Sequence, residues 1–222
     1  MSDRRLATHG MAYGALALEA CAIVGGVFMT LSAVFALFAS SVGVALNGWT
    51  VVAVPLLVSA GALFVVWRLG FASIDSARAQ TVVPSVIIIT TINSLFMPMI
   101  LGVILVPAGG VSLLWTVFGV LWAVVALAAV VDAVHDWVVN DPTSMPLDIM
   151  TIVATFSAIA SAGVMLASGM TGLLFGIVFL GGLLGMSVGL GFLTAEEPVE
   201  SEKTLEGDSQ TAPAHGGRLA HG

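Results

Sequence analysis

The chain has 222 residues, of which 59% are hydrophobic and only 9% are charged, and its mean hydropathy is +1.10. This composition excludes a soluble globular domain and predicts an all-α, polytopic membrane protein whose first partner is the lipid bilayer. The formal net charge of -7 excludes a nucleic-acid-binding protein, because phosphate recognition requires a basic face.

Six apolar runs are long enough to cross a bilayer, and they define the predicted organisation of the chain. Residues 1–10 form a polar arm, residues 11–194 hold the six helices, and residues 195–222 form an acidic tail. The tail lacks aromatic residues, so we expect it to be disordered. The predicted spans are residues 17–39, 50–67, 82–107, 112–131, 149–167 and a sixth that follows the SGMTG turn and ends near Leu193.

The first apolar run extends from Met11 to about Leu46, which is too long for one span and too short for two. We expect tilt or an interfacial extension to absorb the excess. Arg4 and Arg5 ahead of an apolar core are also typical of a cleaved signal peptide, but this core is much longer than those of such peptides. Glu19 is the one charged residue in the run. It is a candidate ion or proton site, and the alternative is a carboxylate that reaches the nearby aqueous interface.

The third span, residues 82–107, has no charged residue but contains Asn93 near its middle. An amide left unpaired in hydrocarbon costs several kcal/mol, so it should face protein or a wet cavity. Pro98 lacks a backbone N–H and predicts a kink beside this amide. Asn93, Thr90 and Pro98 are therefore candidates for a site that an uncharged solute contacts. The alternative is an interhelical hydrogen bond from Asn93 that fixes the helix register.

Acidic residues gather at the end of the fourth span. If this helix continues to residue 136, then Asp132, His135 and Asp136 share one face and offer oxygen and imidazole ligands to a divalent cation. No second cluster completes a coordination sphere, so we favour a solvated helix end and expect neither a metal nor another cofactor. Asp148 is expected to cap the fifth helix.

The sixth span contains the clearest packing motif. Gly181, Gly185 and Gly189 recur every four residues, so they share one helix face on which another helix can approach closely. The fifth span has alanines at the same spacing, and we predict that the two spans pack as a tight pair. The glycine face is also a candidate for homo-oligomer contacts. The matching alanines are Ala154, Ala158 and Ala162.

The basic residues predict the orientation of the chain. In a six-span chain, the arm, the second and fourth connections and the tail share one side, and all six basic residues lie there. The positive-inside rule then places both termini in the cytoplasm and the protein in the plasma membrane. The six basic residues are Arg4, Arg5, Arg68, Arg78, Lys203 and Arg218.

Two functions from different classes fit this pattern. The favoured one is a non-catalytic accessory or structural subunit that packs with other membrane components, because the intramembrane charges that pumps and ion-coupled carriers use are scarce. The alternative is a small permease or channel for a neutral or apolar solute. A cavity bordered by Asn93 and Thr90 would favour the alternative. We do not expect an enzyme, because the chain shows no phosphate-binding loop, paired cysteines or catalytic triad.

Overall fold

A computed structural model describes residues 2–43, 48–70, 84–93, 96, 100, 111–139 and 145–194. These described residues are almost entirely helical and contain no strand. Pro98 and the acidic tail, residues 195–222, lie outside them. The helices are α1 (Ser2–Val42), α2 (Gly48–Gly70), α3 (Pro84–Asn93), α4 (Val111–Val139), α5 (Met145–Ala167) and α6 (Thr171–Thr194).

Four of the described helices are long and apolar enough to cross a membrane, so the prediction of an all-α membrane bundle is confirmed. The shortest of these segments has 23 residues, about 34 Å of helix, against a hydrocarbon core of about 30 Å. Two described apolar stretches are shorter, and six spans therefore remain a prediction. The four long segments are Tyr13–Val42, Leu113–Val139, Met145–Ala167 and Thr171–Thr194, and the shorter ones are Ala53–Leu69 and Pro84–Asn93.

The helix bounds differ from the predicted spans at both ends of the acidic connection. α4 continues to Val139, two turns beyond its predicted end, and carries the acidic cluster with it. α5 begins at Met145, so Asp148 lies inside the first turn and the prediction that it caps this helix was wrong. Pro146 accounts for the earlier start, because a proline in the first turn loses no intrahelical hydrogen bond.

α1 is the central helix of the bundle and packs against α2, α4, α5 and α6. Small side chains on several of its faces allow these neighbours to approach the α1 backbone from different sides. Gly25 faces α4 and α6, whereas Gly26 faces α5. Other small residues buried along α1 are Ala17, Ala20, Ala22, Ala33 and Ala36.

α1 and α6 run in opposite directions. A Cβ added to Gly189 would lie 3.1 Å from the backbone oxygen of Ala17, and one added to Gly181 would contact Met29. The start of the apolar segment of α1 therefore lies at the same end of the bundle as the end of α6. A Cβ added to Gly185, between these two levels, would lie 2.7 Å from the backbone oxygen of Cys21.

α4 runs parallel to α6, and hence opposite to α1. The rings of Trp115 and Phe175 stack with centroids 4.5 Å apart, and those of Phe118 and Phe179 meet edge to face at 5.6 Å. The contacts advance along both helices in the same direction. α4 therefore begins at the end of the bundle where α1 finishes.

The predicted pairing of the glycine face of α6 with α5 was wrong, because α1 occupies that face. α5 packs on another side of α1, where a Cβ added to Gly26 would lie 2.7 Å from the backbone oxygen of Ala154. Ala158 is buried on the same side of α5 and Ala162 is half-buried. The Gly25–Gly26 pair explains the arrangement, since consecutive glycines face different neighbours and place α1 between α5 and α6.

Candidate functional site

An apolar cavity of about 550 Å³ lies between α2 and α3 on one side and α1 and α6 on the other. α2 contributes the longest wall, from Leu56 to Trp67. These eleven residue steps correspond to about 16 Å along the helix axis, so the cavity is elongated in that direction. No charged side chain is present among the described residues that line it. The opposite wall consists of Val24 of α1 and Leu184, Val188 and Phe192 of α6.

Two local contacts, one within α2 and one between α3 and α6, lie beside this cavity. Phe64 and Trp67 lie one turn apart on α2 and their rings contact each other, with centroids 5.1 Å apart. α3 approaches α6 closely at Gly191, where an added Cβ would lie 3.2 Å from the Cα and the backbone oxygen of Val86. A larger residue at position 191 would require α3 to shift, so this glycine allows the close approach of α3 to α6 beside the cavity.

Three polar groups belong to cavity-lining residues and have no hydrogen-bond partner among the described residues. They are the hydroxyls of Ser59 and Thr90 and the indole N–H of Trp67. Ser59 is 1% exposed and Thr90 is 8% exposed. Buried polar groups are nearly always hydrogen-bonded, because burying one without a partner costs about 1–3 kcal/mol. Three such groups belong to residues that line one apolar space, and this makes the cavity the candidate site.

Thr90 and Asn93, the described candidate residues of the third span, differ in their position relative to the cavity. Thr90 lines the cavity, whereas Asn93 is half-buried one turn further along α3 and is not among the lining residues. Ser59 and Trp67 did not emerge from sequence reasoning. A signal for Trp67 exists, because Leu56, Ala60, Leu63 and Trp67 recur at spacings of four, three and four, which is one face of a helix.

Glu19 lies in a cluster of acidic side chains between α1, α4 and α5. It is 6% exposed, so the interpretation that it reaches the aqueous interface was wrong. The extra turns of α4 and the first turn of α5 cover it. The Glu19 and Asp148 side chains are hydrogen-bonded, and Asp132 and Asp136 are close enough to interact with Glu19 electrostatically. Asp148 is only 2% exposed, so this acidic pair ties α1 to α5 inside the bundle.

The three weak metal candidates do not form a coordination site. His135 Nδ1 and Asp136 Oδ1 are 3.4 Å apart, with side chains 72% and 40% exposed, and Asp132 is half-buried. Within the described ranges, no group of three or more His, Cys, Asp or Glu side chains has an arrangement that could hold a metal ion. The exposed pair has the character of a solvated helix end.

No protein-family model matches the chain, and no curated protein or solved structure gives a match. The composition and the four long apolar helices identify a helical membrane protein.

Proposed function

We propose that this chain is a non-catalytic, six-span membrane protein that acts as a small permease or channel for a neutral, largely apolar solute. Thr90 carries the proposal: it is one of the residues named as candidates for a solute contact, and it lines a cavity of about 550 Å³, whereas Asn93 does not line it. Sites for small molecules are mostly apolar, occupy about 300–1,000 Å³ and contain a few polar groups. The cavity and the hydroxyl of Thr90 have these properties.

The directions of the helices support the six-span arrangement. Because α4 begins at the end of the bundle where α1 finishes, the intervening chain crosses the membrane an even number of times. α2 and the segment that includes α3 supply two crossings. Both termini then emerge on the side that holds all six basic residues, which is the cytoplasmic side of the plasma membrane under the positive-inside rule.

Single cysteines introduced into the connections test this topology. We expect Asn47→Cys and Gly109→Cys to react with a membrane-impermeant maleimide added outside intact cells. Asp75→Cys and Asn140→Cys should react only after permeabilisation. The parent chain, whose one cysteine is the buried Cys21, supplies the background. Labelling of all four positions from the same side would contradict the six-span arrangement.

A side chain that fills the cavity tests the proposed function. Ala60 lines the cavity and is exposed, so Ala60→Phe should occupy the solute space without disturbing a packed interface. Brominated decanol in proteoliposomes is a suitable probe, because bromine quenches tryptophan fluorescence and Trp67 lines the cavity. The relevant signal is the part of the tryptophan quenching that the parent protein shows and that a Trp67→Phe reference protein does not. We expect Ala60→Phe to remove at least about nine-tenths of it, a change of about 1.4 kcal/mol in binding.

Ala53→Phe is the matched control for this experiment. Ala53 lies two turns earlier on α2, is exposed, and does not line the cavity, so this variant should retain the Trp67-dependent quenching. Equal quenching in the two phenylalanine variants, or none in the parent protein, would contradict a solute site in this cavity.

The second candidate is the accessory role, and the outer faces of α5 and α6 favour it. A Cβ added to Gly163, Gly172 or Gly176 would meet nothing within 4 Å, so these glycines are open to another helix. The partner would be a different membrane protein or a second copy of this chain. Homo-oligomer contacts cannot use the Gly181 face, because α1 of the same chain already occupies it.

A further inference from the structure

We propose that the cavity recognises an elongated, uncharged chain that carries a hydroxyl group, with Ser59 and Thr90 as the residues that hydrogen-bond this hydroxyl. The inference rests on the proposed solute-binding function and specifies the class of solute. Three properties of the cavity carry it: its shape, its lack of charge and its unpartnered hydroxyls.

The shape favours a chain over a compact molecule. The wall that α2 provides is about 16 Å long between Leu56 and Trp67, and α3 faces it with residues of a single helical segment, from Val86 to Thr91. A solute that contacts both ends of the α2 wall must therefore be extended along the helix axis.

The lining excludes an ionised solute. Every described residue that borders the cavity is uncharged, and most are aliphatic or aromatic. Arg68 follows Trp67 on α2, but it is exposed and is not among the lining residues. A carboxylate or an ammonium group would lose its hydration in this cavity without gaining a counter-ion, at a cost of several kcal/mol. A charged group therefore does not fit inside the cavity itself.

The hydroxyls of Ser59 and Thr90 select a polar end group on the chain. They come from α2 and α3, two of the helices that border the cavity, and neither has a partner among the described residues. A hydroxyl both donates and accepts, so each of these two side chains can form a hydrogen bond with a ligand hydroxyl. The two oxygens are covered by neighbouring side chains, so this recognition includes rotation about Cα–Cβ to another staggered position.

Two probes of equal chain length test the inference. Brominated decanol and bromodecane carry the same quencher and differ in the hydroxyl alone. Both are added to proteoliposomes at matched lipid-phase concentrations, which are measured in protein-free vesicles. The measurement is the tryptophan quenching that Trp67→Phe removes. We expect the alcohol to bind about tenfold more tightly than bromodecane, as two additional hydrogen bonds would produce.

Two variants test whether the hydroxyls of Ser59 and Thr90 produce this preference for the alcohol. Ser59→Ala combined with Thr90→Val removes both oxygens at nearly constant volume, and it should lower the affinity for the alcohol to that for bromodecane while leaving bromodecane binding unchanged. Thr91→Val is the control, because Thr91 also lines the cavity and does not have a buried unpartnered hydroxyl. This variant should keep the full preference for the alcohol. Unfolding temperatures equal to that of the parent protein establish that the variants are folded.

The outcomes separate this inference from the proposed function. Equal affinity for the two probes in the parent protein overturns hydroxyl recognition and leaves a cavity for plain hydrocarbon, such as a lipid tail. A preference for the alcohol that survives the double variant overturns the roles of Ser59 and Thr90. Absence of Trp67-dependent quenching by either probe overturns the solute site itself.

Discussion

Replacing Gly185 with alanine is expected to destabilise the folded bundle by about 1–3 kcal/mol, although alanine is the better helix former. The added Cβ would lie 2.7 Å from the backbone oxygen of Cys21, 3.0 Å from Cδ1 of Trp122 and 3.3 Å from the Cα of Gly25. Two of these atoms belong to the backbone of α1. They cannot rotate away, so the two helices have to separate along their whole contact.

Gly176→Ala is the matched control for this change. Gly176 lies on the same helix, and a Cβ there would meet nothing within 4 Å, so the better helix propensity of alanine should leave stability unchanged or raise it by up to about 1 kcal/mol. Thermal unfolding in a mild detergent, followed by the loss of monodisperse protein, compares the two variants directly. A Gly185→Ala protein that unfolds at the same temperature as Gly176→Ala would contradict the close α1–α6 contact.

Trp122→Ala is expected to cost about 3–5 kcal/mol, which is a large fraction of an ordinary unfolding free energy of about 5–15 kcal/mol. Trp122 is 4% exposed, and its indole Nε1 donates a hydrogen bond of 3.2 Å to the backbone oxygen of Cys21. The ring also lies against the glycine surfaces at Gly25 and Gly185. Truncation would leave a cavity where α1, α4 and α6 meet.

Trp122→Phe separates the hydrogen bond from the packing. Phenylalanine retains most of the ring but cannot donate, so this variant should lose about 1–2 kcal/mol. Trp137→Ala is the control, because Trp137 is 58% exposed near the end of α4. Yields and unfolding temperatures of the three variants provide the measurement. Similar values for Trp122→Ala and Trp137→Ala would show that Trp122 does not hold the three helices together.

Gly185 and Trp122 both lie where α1, α4 and α6 meet, and the close packing there explains why the cavity lies on the other side of α1. α5 and α6 contact α1 through glycine and alanine, and α4 contacts it through alanine and the Trp122 ring, which fills the remaining space. On the other side of α1, the side chains of α2 and α3 that face α6 are larger and hold the helices apart, except at Gly191. The tightly packed side therefore serves as the scaffold, and the open side contains the candidate site.

Part of the candidate site could be predicted from the sequence. Thr90 was named because it shares a helix face with Asn93, whose amide has to face something other than lipid, although Asn93 itself does not line the cavity. Ser59 was overlooked because serine is common in such helices and nothing in the order of residues places it opposite Thr90. The interfacial alternative for Glu19 rested on its distance along the chain from the polar arm, whereas its burial depends on how far α4 continues.

The sequence by itself determined the class of the protein and the helical character of its described segments, because a run of apolar residues in a bilayer can satisfy its backbone hydrogen bonds only as a helix. It also located the glycine face of α6, since that pattern is local to one helix. Only the tertiary structure decided that α1 occupies this face, that Glu19 meets Asp148, and that Ser59 and Thr90 border one cavity. Each of these facts joins residues from distant parts of the chain, and in a uniformly apolar bundle hydrophobicity does not distinguish one helix neighbour from another. Close packing of small residues makes that choice, and it depends on the shapes of both surfaces at once.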